Sequence, residues 1–195
     1  NVKLGKLNEE DIKDIRVCVM SPGISLETDF VKLLLTHRIQ LWSEIQLAYF
    51  VAKGKIMAIT GTNGKTTTTA LLGEIMKRKY EKCFVVGNIG IPYTQIALDT
   101  DENSVTVLEV SSFQLETIID FKPNVSAILN ITPDHLNRHH TFENYSAIKK
   151  EICMNQTAQD HCILNYDDEQ LREFGDSGEC KAKVVFFSVK NTLKE

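Results

Sequence analysis

The clearest chemical signal in the chain is the segment Gly-Thr-Asn-Gly-Lys-Thr at positions 61–66. Before it, residues 56–60 are mostly apolar, which predicts a buried strand. After the glycines, a helical pattern begins at Lys65. A strand, a glycine loop and a helix start in that order are typical of a phosphate-binding loop, so we predict that this segment holds a nucleotide.

The chemistry of each loop residue fits this prediction. Gly61 and Gly64 permit a tight turn, and the helix start offers N–H groups and a partial positive charge to an anion. Lys65 would reach the outer phosphates of ATP, and the Thr66 hydroxyl would bind Mg2+. The spacing is shorter than in the common G-x-x-x-x-G-K-[ST] pattern, because Ile59 stands where that pattern has its first glycine. The predicted ATP-binding residues are Gly61, Thr62, Asn63, Gly64, Lys65, Thr66 and Thr67.

Polar residues also follow other predicted strands. Glu109 ends an apolar strand, where its carboxylate would either bind the Mg2+ that bridges ATP phosphates or face solvent. Ser111 would hydrogen-bond a substrate or form a polar turn. His135 is a candidate metal ligand or phosphate contact, and Asp134 would hold its second ring nitrogen. We expect the other histidines to lie at the surface: His37, His139, His140 and His161.

Tyr145 and Lys149 lie four residues apart, on one face of a predicted helix over residues 142–156. From this spacing alone, the favoured interpretation is an amphipathic surface helix. In that interpretation Tyr145 is half-buried and Lys149 lies in water.

From residue 55 onwards, predicted strands and helices alternate along the chain. The predicted strands are 56–60, 83–86, 104–110, 125–130, 161–164 and 183–188, and the longest predicted helices are 65–79 and 142–156. This alternation predicts an α/β fold with a mostly parallel sheet and helices on both faces. Ligands in such folds bind beyond the carboxyl ends of the strands. The loop at 61–66, Asn88, Glu109 with Ser111, and Asn130 with His135 would all lie at such ends, so we predict a single site.

The composition argues against several classes of protein. The chain has 195 residues and a net charge of −4 with no basic run, so nucleic acid and anionic membranes are not expected partners. It has no apolar run near the roughly 20 residues that cross a bilayer. Its polar opening, NVKLGKLNEEDIKD, is unlike a signal peptide. Five cysteines without a C-x-x-C pair indicate reduced thiols in a cytoplasmic protein.

As a set, the motifs resemble those of the Mur ligase family. They are GTNGKTTTT, GNIGIP, LEVSSFQLE, NITPDHLNRH and the Y-x-x-x-K of Tyr145 and Lys149, in the family's order and spacing. The resemblance covers about Val19 to Asp167 and includes Ser21-Pro22-Gly23, where the family's first domain meets a uridine nucleotide. Within the family, SSFQLE and GNIGIP resemble the member that adds D-glutamate to UDP-N-acetylmuramoyl-L-alanine.

The resemblance implies a division of the chain into parts of two domains. Residues 1–54 would be the C-terminal part of the UDP-substrate domain, with a boundary at Lys53-Gly54-Lys55. Residues 55–195 would be an incomplete central P-loop ATP-binding domain. The family's third domain, which binds the amino acid, would be absent, so we expect this fragment to be inactive alone. The full-length enzyme is expected to be a monomer.

The resemblance also implies a reaction and the residues that perform it. ATP would phosphorylate the substrate carboxylate to an acyl phosphate, and the amine of D-glutamate would then displace phosphate to form an amide. Lys65 would neutralise the β- and γ-phosphates. Thr66 and Glu109 would hold one Mg2+ ion. His135 and a carbamylated Lys149 would hold a second Mg2+ ion.

In the same scheme, Asn88 and Ser111 would contact the muramoyl-alanine part of the substrate. Two alternatives stay open at this point. One is another member of the family, such as folylpolyglutamate synthase. The other is a nucleotide-binding module that has no reaction of its own.

Overall fold

Two short parallel strands lie near the beginning of the chain in this computed structural model, which describes residues 2–193. The first elements are, in chain order, helix α1 (Glu9–Ile12), strand β1 (Val17–Met20), helix α2 (Asp29–Thr36) and strand β2 (Gln40–Ser43). The two strands pair directly in parallel, and α2 connects them along the chain. Ile12, Leu34 and Ile39 are buried together and form a small apolar core of their own.

The other six strands form one parallel sheet. In chain order they are β3 (Lys55–Thr60), β4 (Cys83–Gly87), β5 (Val105–Glu109), β6 (Val125–Ile128), β7 (His161–Asn165) and β8 (Lys183–Phe187). Their order across the sheet is β4-β5-β3-β6-β7-β8, so β3 lies between β5 and β6. Because carboxyl ends of parallel strands share one edge, the residues that follow these three strands are neighbours.

Seven further helices accompany the sheet within residues 2–193. They are α3 (Glu44–Val51), α4 (Lys65–Met76), α5 (Tyr93–Ile96), α6 (Ser112–Leu115), α7 (Leu136–His139), α8 (Phe142–Lys150) and α9 (Glu169–Asp176). None of the helices in this described range combines the length and the apolar character that crossing a membrane requires.

Apolar cores cover both faces of the sheet, because alternate residues of its strands belong to different cores. Successive residues of a strand point to opposite faces. Ala58, Leu108 and Ile128 belong to the larger apolar core, whereas their neighbours Ile59, Val107 and Ala127 belong to a separate one. The predicted α/β fold, with a parallel sheet between helices, is therefore confirmed.

The predicted strands are all present, and the main differences lie at helix ends. The helix predicted over 65–79 ends at Met76, and the helix predicted over 142–156 ends at Lys150. A 3-10 turn over Glu151–Cys153 follows Lys150. Ile152 and Cys153 in this turn are fully buried. The apolar pattern of the sequence therefore extends past Lys150, where the α-helix ends.

Helix α3 lies before the predicted domain boundary but packs into the larger core. Ser43 is the N-cap of this helix, and its hydroxyl oxygen accepts the Gln46 N–H at 3.3 Å. Ile45 and Ala48 on its inner face are fully buried in the larger core. The boundary at residues 53–55 stays a prediction.

Candidate nucleotide-binding site

The loop between β3 and α4 has the backbone shape that its two glycines predict. Gly61 has a φ of +150° and Gly64 a φ of +84°, which are conformations that favour glycine. A Cβ atom on Gly61 would lie 3.1 Å from the Leu129 Cβ, so a side chain there would crowd the neighbouring strand end. Gly64 begins α4 without a side-chain cap, and the first N–H groups of a helix have no partner within it. The loop therefore suits an anion.

Asn130 fixes this loop with its side-chain amide. Its Oδ1 accepts the Asn63 N–H at 2.9 Å, and its Nδ2 donates to the Asn63 carbonyl at 3.0 Å. The Asn130 carbonyl also accepts the Thr62 N–H at 2.9 Å. The sequence pattern places Asn130 among the strand-end residues of the site but does not predict these contacts with the loop. The available signal was its position just after β6, which lies next to the strand that leads into the loop.

Tyr145 reaches the same loop from α8. Its hydroxyl lies 3.1 Å from the Thr62 Oγ1, which donates to the Thr132 carbonyl, also over 3.1 Å. Tyr145 is 1% exposed and Lys149 is 2% exposed, so the face of α8 that carries both residues is buried. The interpretation of α8 as a surface helix with Lys149 in water is therefore wrong.

Two lysine ammonium groups meet at the loop. Lys65 Nζ donates to the Gly61 carbonyl at 2.9 Å and to the Thr62 carbonyl at 3.0 Å, and Lys149 Nζ donates to the same Gly61 carbonyl at 2.9 Å. Burial, followed by the positive charge of Lys65, lowers the pKa of Lys149 to about 7, whereas the Asp134 carboxylate raises it. A substantial fraction of Lys149 is therefore neutral amine at neutral pH.

Glu109 presents a buried carboxylate beside the loop. It is 2% exposed, so the alternative that it faces solvent is wrong. Its Oε1 accepts a hydrogen bond from Asn88 Nδ2 at 2.9 Å, while its Oε2 is buried without a hydrogen-bond partner in the described chain. A buried carboxylate oxygen without a partner is costly unless a cation or donor binds it. This oxygen is therefore a candidate metal ligand.

Six of the seven predicted ATP-binding residues, all except Gly61, line one open cavity of about 410 Å3. Its lining residues are Thr62, Asn63, Gly64, Lys65, Thr66, Thr67, Asn88, Ile89 and Glu109. Thr66 and Glu109, which we predicted to share one Mg2+ ion, thus face the same space. Asn88, a predicted substrate contact, faces it too.

His135 lies at the edge of the site and is about half exposed. Its ring centre is 5.0 Å from that of Phe113 and 6.4 Å from that of Tyr145. Lys149 Nζ lies 4.8 Å from the centre of the same Tyr145 ring. The two residues predicted to share a second metal ion therefore lie near one aromatic side chain. Asp134 Oδ2 is 3.6 Å from His135 Nε2, which is too long for the hydrogen bond that we expected.

His139 was predicted to be a surface residue, and this prediction is wrong because the side chain is 1% exposed. Its Nε2 lies 3.0 Å from Ser112 Oγ, and its ring stacks on Phe113 with the centres 5.3 Å apart. Burial lowers the pKa of His139, against the opposing effect of the Glu116 carboxylate. The contacts of His139 with Ser112 and Phe113 arise because α7 packs against α6 and α8. The polarity of the sequence does not predict this packing.

Ser111, the other predicted substrate contact, has a structural role in this fold. It begins α6 with a capping box, in which its N–H and hydroxyl both donate to Gln114 Oε1 at 3.0 Å. Its hydroxyl oxygen also accepts the Gln114 N–H at 3.4 Å. A substrate contact at Ser111 would therefore add to, or replace, a bond within the helix cap.

The N-terminal part of the chain contacts the loop that carries His135. Arg138 forms two hydrogen bonds with the Glu116 carboxylate, of 3.2 and 2.5 Å, and donates to the Ile24 carbonyl at 2.8 Å. His140 Nε2 lies 2.9 Å from Glu27 Oε1. The segment that follows Ser21-Pro22-Gly23 is therefore held beside the candidate site.

Solved structures of similar fold include ligases. The UDP-N-acetylmuramate:L-alanyl-gamma-D-glutamyl-meso-diaminopimelate ligase of Neisseria meningitides superposes with a TM-score of 0.61 and 16% identity, over 92% of this chain and 60% of that one. The MurF ligase of Thermotoga maritima, in complex with ADP, superposes with a TM-score of 0.59 and 18% identity, over 92% of this chain and 49% of that one. At these identities the likeness establishes the fold alone.

Relatives of higher sequence identity establish the family. The UDP-N-acetylmuramoylalanine--D-glutamate ligase of Lachnoclostridium phytofermentans is 56% identical over 194 residues, which cover 100% of this chain and 42% of that protein. The chain thus spans about two fifths of the length of the curated relatives it matches. The sequence profile of the Mur ligase middle domain matches residues 59–195. Because this match covers most of the chain and nearly all of the candidate site, the chain belongs to the Mur ligase family.

Proposed function

We propose that this chain is the ATP-binding part of a ligase that joins D-glutamate to UDP-N-acetylmuramoyl-L-alanine in peptidoglycan precursor synthesis. The substrate assignment is supported by the 56% identical relative, whose name specifies that reaction. The observation that carries the proposed chemistry is the convergence of Lys65, Glu109 and Lys149 around the loop at 61–64. An ammonium group, a buried carboxylate and a lysine of lowered pKa at a helix start suit the binding of phosphate together with a metal ion.

The loop is the proposed binding site for the ATP phosphates. The N–H groups at the start of α4 and the Lys65 ammonium supply the donors and positive charge that phosphate oxygens require. Lys65 Nζ is held at the loop by the Gly61 and Thr62 carbonyls. Phosphate oxygens would replace these carbonyls as stronger, charged acceptors.

Thr66 and Glu109 fit a Mg2+ ion that accompanies those phosphates. Magnesium prefers oxygen ligands, and Glu109 Oε2 is a buried carboxylate oxygen without a partner in the described residues. Asn88 holds the other carboxylate oxygen and so fixes the orientation of the group. The bound ion would neutralise charge on the phosphates.

Lys149 is suited to carbamate formation. Its pKa near 7 provides the neutral amine, whose nitrogen attacks CO2, forms an N–C bond and releases one proton. The resulting carbamate is an anion with two oxygens, so it would attract the Lys65 ammonium that the Lys149 ammonium repels. Together with His135, it would supply ligands to the second Mg2+ ion that we propose.

In the proposed reaction, a carboxylate oxygen of UDP-N-acetylmuramoyl-L-alanine attacks the γ-phosphorus of ATP and releases ADP. The amine of D-glutamate then attacks the carbonyl carbon of the acyl phosphate and releases phosphate. The residues of this chain would bind the phosphates, orient the reacting groups and neutralise charge. We propose Asn88 and Ser111 as contacts of the muramoyl-alanine part. We also propose a monomeric cytoplasmic enzyme, and the five free cysteines suit that compartment.

A ligation assay with the full-length protein tests this proposal. The protein is incubated with ATP, Mg2+, UDP-N-acetylmuramoyl-L-alanine and either D-glutamate, L-glutamate or meso-diaminopimelate, and the product is identified by mass spectrometry. We expect amide product with D-glutamate only. Product with a different amino acid would overturn the substrate assignment but keep the ligase. ATP binding without any product would leave only a nucleotide-binding module.

A further inference from the structure

Three of the five cysteines converge at the end of the sheet opposite the nucleotide loop. Cys162 is the second residue of β7, next to His161, which pairs with Val125 at the start of β6. Cys153 ends the turn after α8, and Cys180 lies before β8. The cluster is therefore at the amino ends of the strands, whereas the nucleotide loop follows their carboxyl ends.

The three sulfur atoms have the spacing of a metal site. The Sγ atoms of Cys153, Cys162 and Cys180 all lie within 4.8 Å of one another. Three sulfurs that surround one cation at a metal–sulfur distance of about 2.3 Å are roughly 4 Å apart. A cation would therefore require only a small contraction of the cluster.

Cys180 is the most accessible of the three cysteines. Thiolates, rather than thiols, are the metal-binding species. Cys180 is 8% exposed and the other two cysteines are fully buried, so a cation would enter past Cys180.

The number and type of ligands indicate which cation fits. Structural zinc sites have four protein ligands. Within residues 2–193, the cluster contains three cysteines and no ligand atom from a histidine, aspartate or glutamate. Soft sulfur ligands select soft cations such as Cu(I).

We propose that Cys153, Cys162 and Cys180 form a trigonal thiolate site for Cu(I). Three copper–sulfur bonds form on binding, up to three S–H protons leave to solvent, and copper stays in the +1 state throughout. Cys153 Sγ lies 3.1 Å from the Lys150 carbonyl, and copper would take the place of this contact. The site is separate from the proposed nucleotide site.

The test is a Cu(I) titration of the fully reduced protein under anaerobic conditions, in competition with a chromophoric Cu(I) chelator. We expect one Cu(I) ion per chain. The variants Cys162→Ser and Cys180→Ser should lose affinity by more than about 100-fold, because even changes outside the ligand shell cost about 10–100-fold. Cys18→Ser and Cys83→Ser are matched controls outside the cluster and should bind as the wild type does.

A second measurement guards against variants that fail to fold. Cu(I) should raise the melting temperature of the wild type and of Lys65→Ala, but not that of a folded Cys180→Ser variant. X-ray absorption should show copper bound by three sulfur atoms and by no nitrogen or oxygen ligand. No competition with the chelator, equal affinity in Cys180→Ser, or preferential binding of Zn2+ would each overturn the proposal.

Discussion

Lys65 and Lys149 donate hydrogen bonds to the same acceptor, the carbonyl oxygen of Gly61, and each does so over 2.9 Å. One neutral oxygen does not balance two cations, and Lys149 is almost completely buried. Burial of an unbalanced cation is unfavourable unless an anion joins it or the group loses its charge. A phosphate at Lys65 and a carbamate at Lys149 would each resolve this conflict, so the arrangement suits a site that becomes complete with its substrates.

The first prediction concerns Lys65. Lys65→Ala should weaken the binding of ATP with Mg2+ by about 10–150-fold, because a hydrogen bond to a charged group contributes roughly 1.5–3 kcal/mol. Isothermal titration calorimetry measures the affinity. Lys77→Ala is the control, since Lys77 follows the same helix and pairs at the surface with Glu74. Equal affinities of Lys65→Ala and the wild type would contradict the phosphate assignment.

Glu109 gives a prediction about magnesium. Glu109→Gln keeps the size of the side chain and an oxygen for Asn88, but removes the negative charge. We expect the Mg2+ concentration that half-saturates ATP binding to rise by at least about tenfold, because changes outside a metal's ligands already cost about 10–100-fold. Glu102→Gln, at an exposed position, serves as the control. An unchanged Mg2+ requirement would exclude Glu109 as a ligand.

The amide of Asn130 should contribute measurably to stability. Asn130→Ala removes both side-chain hydrogen bonds to the backbone of Asn63, so the free energy of unfolding should fall by roughly 1–3 kcal/mol. Chemical denaturation measures this change. Asn63→Ala is a matched control because the backbone of residue 63, not its side chain, forms these bonds. An equal loss of stability in both variants would show that the hydrogen bonds of the Asn130 side chain are not the cause.

Lys149 should make stability depend on pH. Its pKa is near 7 in the folded chain, against an ordinary value of about 10.4 in the unfolded chain. Between these values the unfolded state binds more protons, so the free energy of unfolding should rise as pH increases from 7 to 10. Below pH 7 both states are protonated, and this contribution no longer varies.

Lys149→Met removes that titration and the buried charge. We expect the variant to be more stable than the wild type at pH 7, with a smaller gain on raising the pH, since each unit of pKa depression corresponds to about 1.4 kcal/mol. Urea denaturation at pH 7 and pH 9, in CO2-free buffer without metal, measures the difference. Lys150→Met is the neighbouring control. A wild type whose stability falls over this pH range would contradict a depressed Lys149 pKa.

The sequence predicts local parts of this site better than contacts between distant elements. The strand, loop and helix around Gly61 are local, because apolar residues, glycines and the helix start are consecutive. Lys149, by contrast, contacts a carbonyl 88 residues away, and its spacing alone indicated a surface helix. The burial of His139 and the hydrogen bonds from Asn130 to the loop also depend on contacts between elements that are distant in sequence. Each contact depends on which strands and helices become neighbours, and the polarity pattern of the sequence does not predict these neighbours.

The most direct test of the account follows an oxygen atom. UDP-N-acetylmuramoyl-L-alanine is labelled with 18O in its carboxylate, and the full-length protein is supplied with ATP, Mg2+ and D-glutamate. If the carboxylate attacks the γ-phosphorus and the amine then displaces phosphate, the oxygen that joined carbon to phosphorus leaves with phosphate. Mass spectrometry should therefore find one labelled oxygen in each inorganic phosphate released. Product formation with unlabelled phosphate would contradict the acyl phosphate, and with it the role proposed for this site.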